Sequence, residues 1–317
     1  MTELEKRALK TAHLSVFSNS VLTALKFAVG IIIGSVSIIS EAVHSCIDLI
    51  ASLIAVFAVK KSSVPADDEH PYGHGKYENI SGTIEALLIF AAAIYIFYES
   101  LERLLNPRDI KTPLVGVLIM LFAAVVNYCV SLKLFKVAKQ ADSLALEADA
   151  WHLRADVYTS AGVMAALSVM MFLKLSFPDM NVSWIDPAAA LVVAFMIIRA
   201  AYKLTVKSAK DLFDASLSHE EVAFVEDALR SHKGIICGYH DLKTRKSGNK
   251  RFVEVHILVD PEMTVLQSHE ITRKIDGQIA EKLEIVLVNI HVEPCDHTCT
   301  PKCRDGCLNK YSKQENI

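Results

Sequence analysis

Residues 40–53 read SEAVHSCIDLIASL and residues 147–162 read EADAWHLRADVYTSAG. Each stretch sets a histidine and an aspartate four positions apart in an otherwise apolar run: His44 with Asp48, and His152 with Asp156. On a helix, positions i and i+4 stack on one face. Ionisable groups at membrane depth are costly and mark function. Two matched pairs supply two imidazoles and two carboxylates, a complete tetrahedral set for Zn²⁺. The ion and two ionised aspartates sum to zero charge. Without the ion the same side chains need protons, so metal and protons compete for one site. The alternative is that each histidine and aspartate is only a helix–helix hydrogen-bond partner. Two identical pairs weigh against it.

Both stretches belong to a longer series of apolar runs. A helix needs about 20 mostly apolar residues to cross the hydrocarbon core. Six runs qualify, roughly 14–34, 38–59, 82–102, 113–133, 145–173 and 185–206. A short turn, Gly34-Ser35-Val36-Ser37, joins the first two. The segments NPRDIKTP and SFPDMNVSW read as loops. Lys6, Arg7, Lys10, Lys60, Lys61, Lys76, Lys133, Lys136, Lys139, Lys203, Lys207 and Lys210 fall on one side. Arg103, Arg108, Lys111 and Lys174 fall on the other. The bias predicts both termini in the cytoplasm. The opening MTELEKRALKTAHLS is charged and has no cleavable signal pattern.

The remainder reads as soluble protein. Residues 218–232 carry helical periodicity with Ser218 as cap. Residues 235–244 and 251–259 alternate as strands around a KSGNK hairpin, 265–283 is amphipathic, and 284–293 (EIVLVNIHVE) is a third strand. The expected fold class is a six-helix transmembrane bundle followed by a small αββαβ, ferredoxin-like α+β domain. The expected divisions are 1–207, 208–293 and a Cys-rich tail, 294–317. Composition agrees with a membrane part joined to a soluble part: 52% hydrophobic, 22% charged, mean hydropathy +0.33. The net charge of −3 leaves no basic stripe for nucleic acid.

These motifs together resemble the cation diffusion facilitator family of divalent-metal transporters. The resemblance covers about residues 8–293. It rests on GSVSIISEAVHSCIDLIASL, PADDEHPYGHGKYE, ADAWHLRADVYTSAGV, GYHDLKTRKSG and VEVHILVD. It implies six membrane helices, a cytoplasmic ferredoxin-like domain, a homodimer, and metal export coupled to proton entry, with protons as the counter-substrate. Carried over, the transport site is His44, Asp48, His152 and Asp156. A nitrogen ligand at His44 resembles the zinc-type branch and fits zinc over manganese or magnesium. The expected location is the inner, cytoplasmic membrane of a prokaryote, since the short 134–144 linker lacks the His-rich insertion of many eukaryotic zinc relatives.

The resemblance also implies further metal positions. Asp67, His70 and His74 match a loop site; otherwise they lie in a solvated loop turned by Pro and Gly. His240, His256, His269, His291 and Glu293 match a cytoplasmic cluster that stiffens the dimer, or are ordinary surface and core histidines. Glu293 departs from the aspartate of close relatives and is one methylene longer. Lys76 and Asp214 resemble a charge pair linking two subunits, or are two solvated charges.

The tail reads CDHTCTPKCRDGC over 295–307. Cys295, Cys299, Cys303 and Cys307 recur every four residues, but Pro294, Pro301 and Gly306 oppose a regular helix. A folded-back loop around zinc or another soft metal is expected, against the alternative of a disordered reduced tail. Taken together, the reading is a proton-coupled divalent-metal exporter, with Zn²⁺ as both substrate and structural ion. Iron, cadmium or cobalt export, or a non-transporting metal sensor, are the rivals. A membrane metallohydrolase fits less well. Four protein ligands leave no open position for water, and no HExxH is present.

Overall fold

The computed structural model describes residues 2–33, 36–106, 114–177, 182, 184–283, 285–295, 307 and 308. Contacts divide the chain into two compact units, Met1–Ala209 and Lys210–Ile317.

The first unit contains α1 (Glu3–Ile33), α2 (Val36–Ser62), α3 (Lys76–Leu105), α4 (Leu114–Ala141), α5 (Leu144–Ser176) and most of α6 (Ile185–Leu212). Among the described residues these six helices are long and apolar enough to cross a membrane. Each outruns its apolar stretch, because helix continues into the polar flanks where it meets water. Val36 already belongs to α2, so the turn expected over Gly34–Ser37 is at least two residues shorter. Gly34 and Ser35, and most of the two longer loops, lie outside the described residues.

Outward-facing side chains such as Ile32, Phe172 and Phe195 are apolar and exposed, which suits a lipid-facing surface. The interior is built from small residues. Ala8, Ala12, Ala58, Ala145 and Ala150 bring α1, α2, α4 and α5 together around Leu134, Leu146 and Leu153. Small side chains let membrane helices approach closely enough for dispersion to hold them. At Gly162 a Cβ would meet Val193 Cγ2 at 2.6 Å, so a side chain there would force Val193 of α6 to shift. Buried Glu78 accepts hydrogen bonds from Ser62 at 2.7 Å and from Ser143, the N-cap of α5. That carboxylate ties the end of α2 to the starts of α3 and α5.

The second unit holds α7 (His219–Ser231), β1 (Gly238–Ser247), β2 (Lys250–Val259), α8 (Val265–Lys282) and β3 (Val286–Pro294). Both helices begin with a reciprocal capping box, Ser218 with Glu221 and Thr264 with Gln267. β1 and β2 run antiparallel through a two-residue Gly248-Asn249 turn, and β3 adds parallel to β2. Val225, Leu229, Ile271, Ile275 and Ile279 from the helices pack on Val253, Val255 and Ile257 of β2. Successive strand residues face opposite sides. The helices therefore cover one sheet face and leave His256 and His291 on the other. This is the expected αββαβ, ferredoxin-like α+β arrangement.

Candidate metal centres

In the first unit, α2 contributes His44 and Asp48 and α5 contributes His152 and Asp156, each pair one turn apart. One ligand atom from each of His44, Asp48 and Asp156 lies within 4.8 Å of the others. His152 joins through Asp48, donating from Nε2 to Oδ1 at 3.0 Å. His44 Nε2 stands 4.0 Å from the same oxygen. Asn127 of α4 donates to Asp156 Oδ2 at 3.4 Å. The four residues line one cavity of about 680 Å³. That cavity also reaches Asn127, Lys26, Glu99, Arg103 and Asp186.

Asp149 and Glu85 are fully buried and do not line this cavity. Lys26 and Asn127 both reach it. No sequence pattern marks them, because each sits on a helix whose rotation is set only by packing. Arg154 lies over the rings of Tyr128 and Phe135, 4.7 and 5.6 Å from their centroids.

The loop after α2 gathers Asp67, His70 and His74 into a second donor group within 4.8 Å. Gly73 has φ +83 and donates to the His70 carbonyl at 2.8 Å, so a left-handed turn brings the two rings to 4.4 Å. His70 and His74 each place a ring nitrogen 3.4 Å from an Asp67 oxygen. The backbone N–H of His70 donates to Asp67 at 2.7 Å. That bond is the chief reason the Asp67 carboxyl titrates below the usual range, and it keeps the aspartate anionic.

In the second unit, strand register aligns His240, His256 and His291 in one row across β1, β2 and β3. Adjacent ring centroids are 5.1 and 4.8 Å apart. Glu293, two residues further along β3, accepts from His240 at 3.0 Å and from His256 at 2.8 Å. His291 Nε2 lies 3.7 Å from Glu293. Partial burial opposes the glutamate's charge, but the two imidazole hydrogen bonds outweigh it and hold its carboxyl below the usual value. The longer glutamate thus reaches three imidazoles within one protomer.

Asp241 is an addition to the expected set. It groups with His240 and His256. Its alternation parity is wrong for that face, but the register shifts between His240 and Lys243 and Asp241 takes φ +49. Such a bulge re-aims a side chain. His269 stands apart from this row within one protomer. It is exposed on α8, among the helices that cover the opposite sheet face, and no donor group among the described residues includes it.

Lys76 opens α3, while Asp214, at φ +53, accepts from Arg245 of β1 at 3.4 Å within its own unit. In the tail, Cys299 and Cys303 lie outside the described residues. Cys295 donates its N–H to Val259, and Cys307 pairs antiparallel with Gly238, followed by Leu308 N–H to the Cys237 carbonyl at 2.9 Å. Cys307 and Leu308 therefore lie against the start of β1.

Comparison with known proteins places these sites in context. Residues 12–213 match the model of the cation efflux transmembrane domain, and residues 217–295 match the cation efflux protein cytoplasmic domain. The chain is 32% identical to the uncharacterized transporter sll1263 of Synechocystis over 285 residues, 90% of each chain. It is 30% identical to the cation-efflux pump FieF of Citrobacter koseri, covering 83% of this chain and 84% of that one. Among solved structures, the putative zinc transporter CzrB is 31% identical. That match covers 25% of this chain and 98% of the other, at TM-score 0.24. The metal-bound C-terminal domain of the CzcD transporter from Thermotoga maritima is 28% identical, covering 26% of this chain and 100% of the other, at TM-score 0.24.

Proposed function

Because the chain belongs to the cation diffusion facilitator family of multi-pass cation efflux transporters, we propose that it exports Zn²⁺ from the cytoplasm in exchange for protons. The observation that carries this reading is the meeting of imidazole and carboxylate donors from α2 and α5 on one cavity. His44, Asp48, His152 and Asp156 form the transport site. Cytoplasmic metal displaces protons from these groups, the helices rock, and protons from outside reclaim the ligands as metal leaves. The two nitrogen donors favour zinc over harder cations. Export of Fe²⁺, Cd²⁺ or Co²⁺ by the same site is the second reading, since nitrogen and oxygen donors bind all three.

The protein works as a homodimer in the inner membrane with both termini in the cytoplasm. Support comes from the dimer-type cytoplasmic domain and from the lysines that flank α1, α2, α4 and α6. Asp67, His70 and His74 form a weak loop site. His240, His256, His291 and Glu293, with Asp241, hold structural zinc in the cytoplasmic domain. His269 contributes only across a dimer, and Lys76 with Asp214 forms a charge pair between subunits. The tail cysteines Cys295, Cys299, Cys303 and Cys307 bind a soft metal.

Reconstituted vesicles with an imposed pH gradient test the proposal, comparing Zn²⁺, Cd²⁺, Fe²⁺, Co²⁺ and Mn²⁺. Zinc should accumulate fastest, and collapse of the gradient should stop it. Zinc flux by Asp48→Ala equal to wild type would refute the site.

A further inference from the structure

Lys26 is an anomaly in this cavity: a fixed cation on the wall of a passage for cations. It lies on α1, is only 9% exposed, and shares the cavity with all four transport-site residues. Its ammonium donates to Ser45 Oγ at 2.7 Å. Ser45 sits on α2 between His44 and Asp48, and its carbonyl accepts from Thr23 Oγ1 at 3.1 Å. Two contacts from α1 thus hold the lysine against the ligand-bearing segment of α2. Its ammonium shares that cavity wall with both aspartates of the site. Charged side chains inside a membrane are costly. A lysine here also repels any divalent ion bound nearby.

We propose that Lys26 is a built-in counter-cation of the transport site, weakening divalent-metal binding so that the ion can leave and then balancing one aspartate. The inference rests on the transport-site reading above. With both aspartates ionised and both imidazoles neutral, the metal-free group including Lys26 carries one net negative charge instead of two. The metal-loaded group carries one positive charge instead of none. Lys26 therefore shifts the balance toward release without touching the ion. It is a positioning residue for charge, not a ligand.

A charge role and a purely structural one separate in the kinetics. Zinc flux through full-length protein in proteoliposomes should be compared for wild type, Lys26→Met, Lys26→Arg, Ser45→Ala and Asp48→Ala. Lys26→Met removes the charge and keeps the apolar stem. Both KM and kcat should fall, each on the order of tenfold, because the ion binds more tightly and leaves more slowly. Lys26→Arg should restore both. Ser45→Ala cuts the anchoring hydrogen bond but leaves the charge, and should stay within about twofold in KM. If Lys26→Met is less stable in a thermal melt, Lys26→Gln gives the same readout.

An unchanged or raised KM in a neutral variant that melts like wild type overturns the proposal. So does failure of Lys26→Arg to restore the pattern. Wild-type flux by Asp48→Ala is a different failure: it overturns the transport site itself, whatever the Lys26 variants do.

Discussion

Two of the places where imidazoles and carboxylates meet in this protein differ sharply. Between α2 and α5, Asp48 is 6% exposed and takes a hydrogen bond from a His152 side chain that is 12% exposed. On the open face of the sheet, the His291 side chain is 64% exposed and that of Glu293 is 32% exposed. Water can solvate the second group with or without metal. Within the first group water reaches His44 from the cavity, but the nearly buried Asp48–His152 pair has little access to it, so charge there must be matched by an ion, a proton or another side chain. The same donor types are thus held in two settings that differ in their access to water.

Substitutions should separate the two settings. The largest effect belongs to Asp156→Ala: zinc flux in proteoliposomes should drop to the protein-free background while size-exclusion chromatography still gives a folded dimer. On the sheet, the double change His256→Ala/Glu293→Ala should weaken zinc binding to the cytoplasmic site by roughly tenfold or more in a calorimetric titration. Flux should fall only several-fold, and an equal loss of flux would erase the contrast.

A smaller effect concerns acid stability of the cytoplasmic domain. Burial opposes the charge on Glu221, but the hydrogen bond from Arg251 at 2.6 Å and that from Ser218 outweigh it and hold its carboxyl below 4.5. A depressed carboxyl stabilises the fold above its unfolded value and loses that contribution as pH falls through its folded one. Protection factors for hydrogen exchange in α7, referenced to intrinsic rates at each pH, should therefore fall as pH drops below that range. Glu221→Gln should remove the acid step while costing about 0.5 kcal/mol at neutral pH, after solvent screening. The smallest effect is expected from Cys295→Ser/Cys307→Ser, which should lower bound zinc per chain yet leave flux within about twofold.

The legible part of the molecule was local. Two His-x-x-x-Asp spacings and six apolar runs depend only on helix period and length, and they led directly to α2, α5 and the cavity between them. The capping residue Ser218 was legible for the same reason. What could not be read depends on rotation and register. Whether Lys26 or Asn127 faces the cavity depends on how α1 and α4 turn against their neighbours. The row formed by His240, His256 and His291 depends on pairings between strands, and Asp241 enters it only through a bulge. His269 was placed in that set by resemblance alone, and the layer order of helices and sheet separates it within one protomer.

The central claim is that donors from α2 and α5 hold the transported ion. An anomalous difference map at the zinc edge, from crystals of the full chain grown with Zn²⁺, tests it most directly. The account requires a peak about 2.0–2.2 Å from nitrogen and oxygen atoms of His44, Asp48, His152 and Asp156. Peaks on the cytoplasmic sheet with none between the two helices, at saturating zinc, would contradict it.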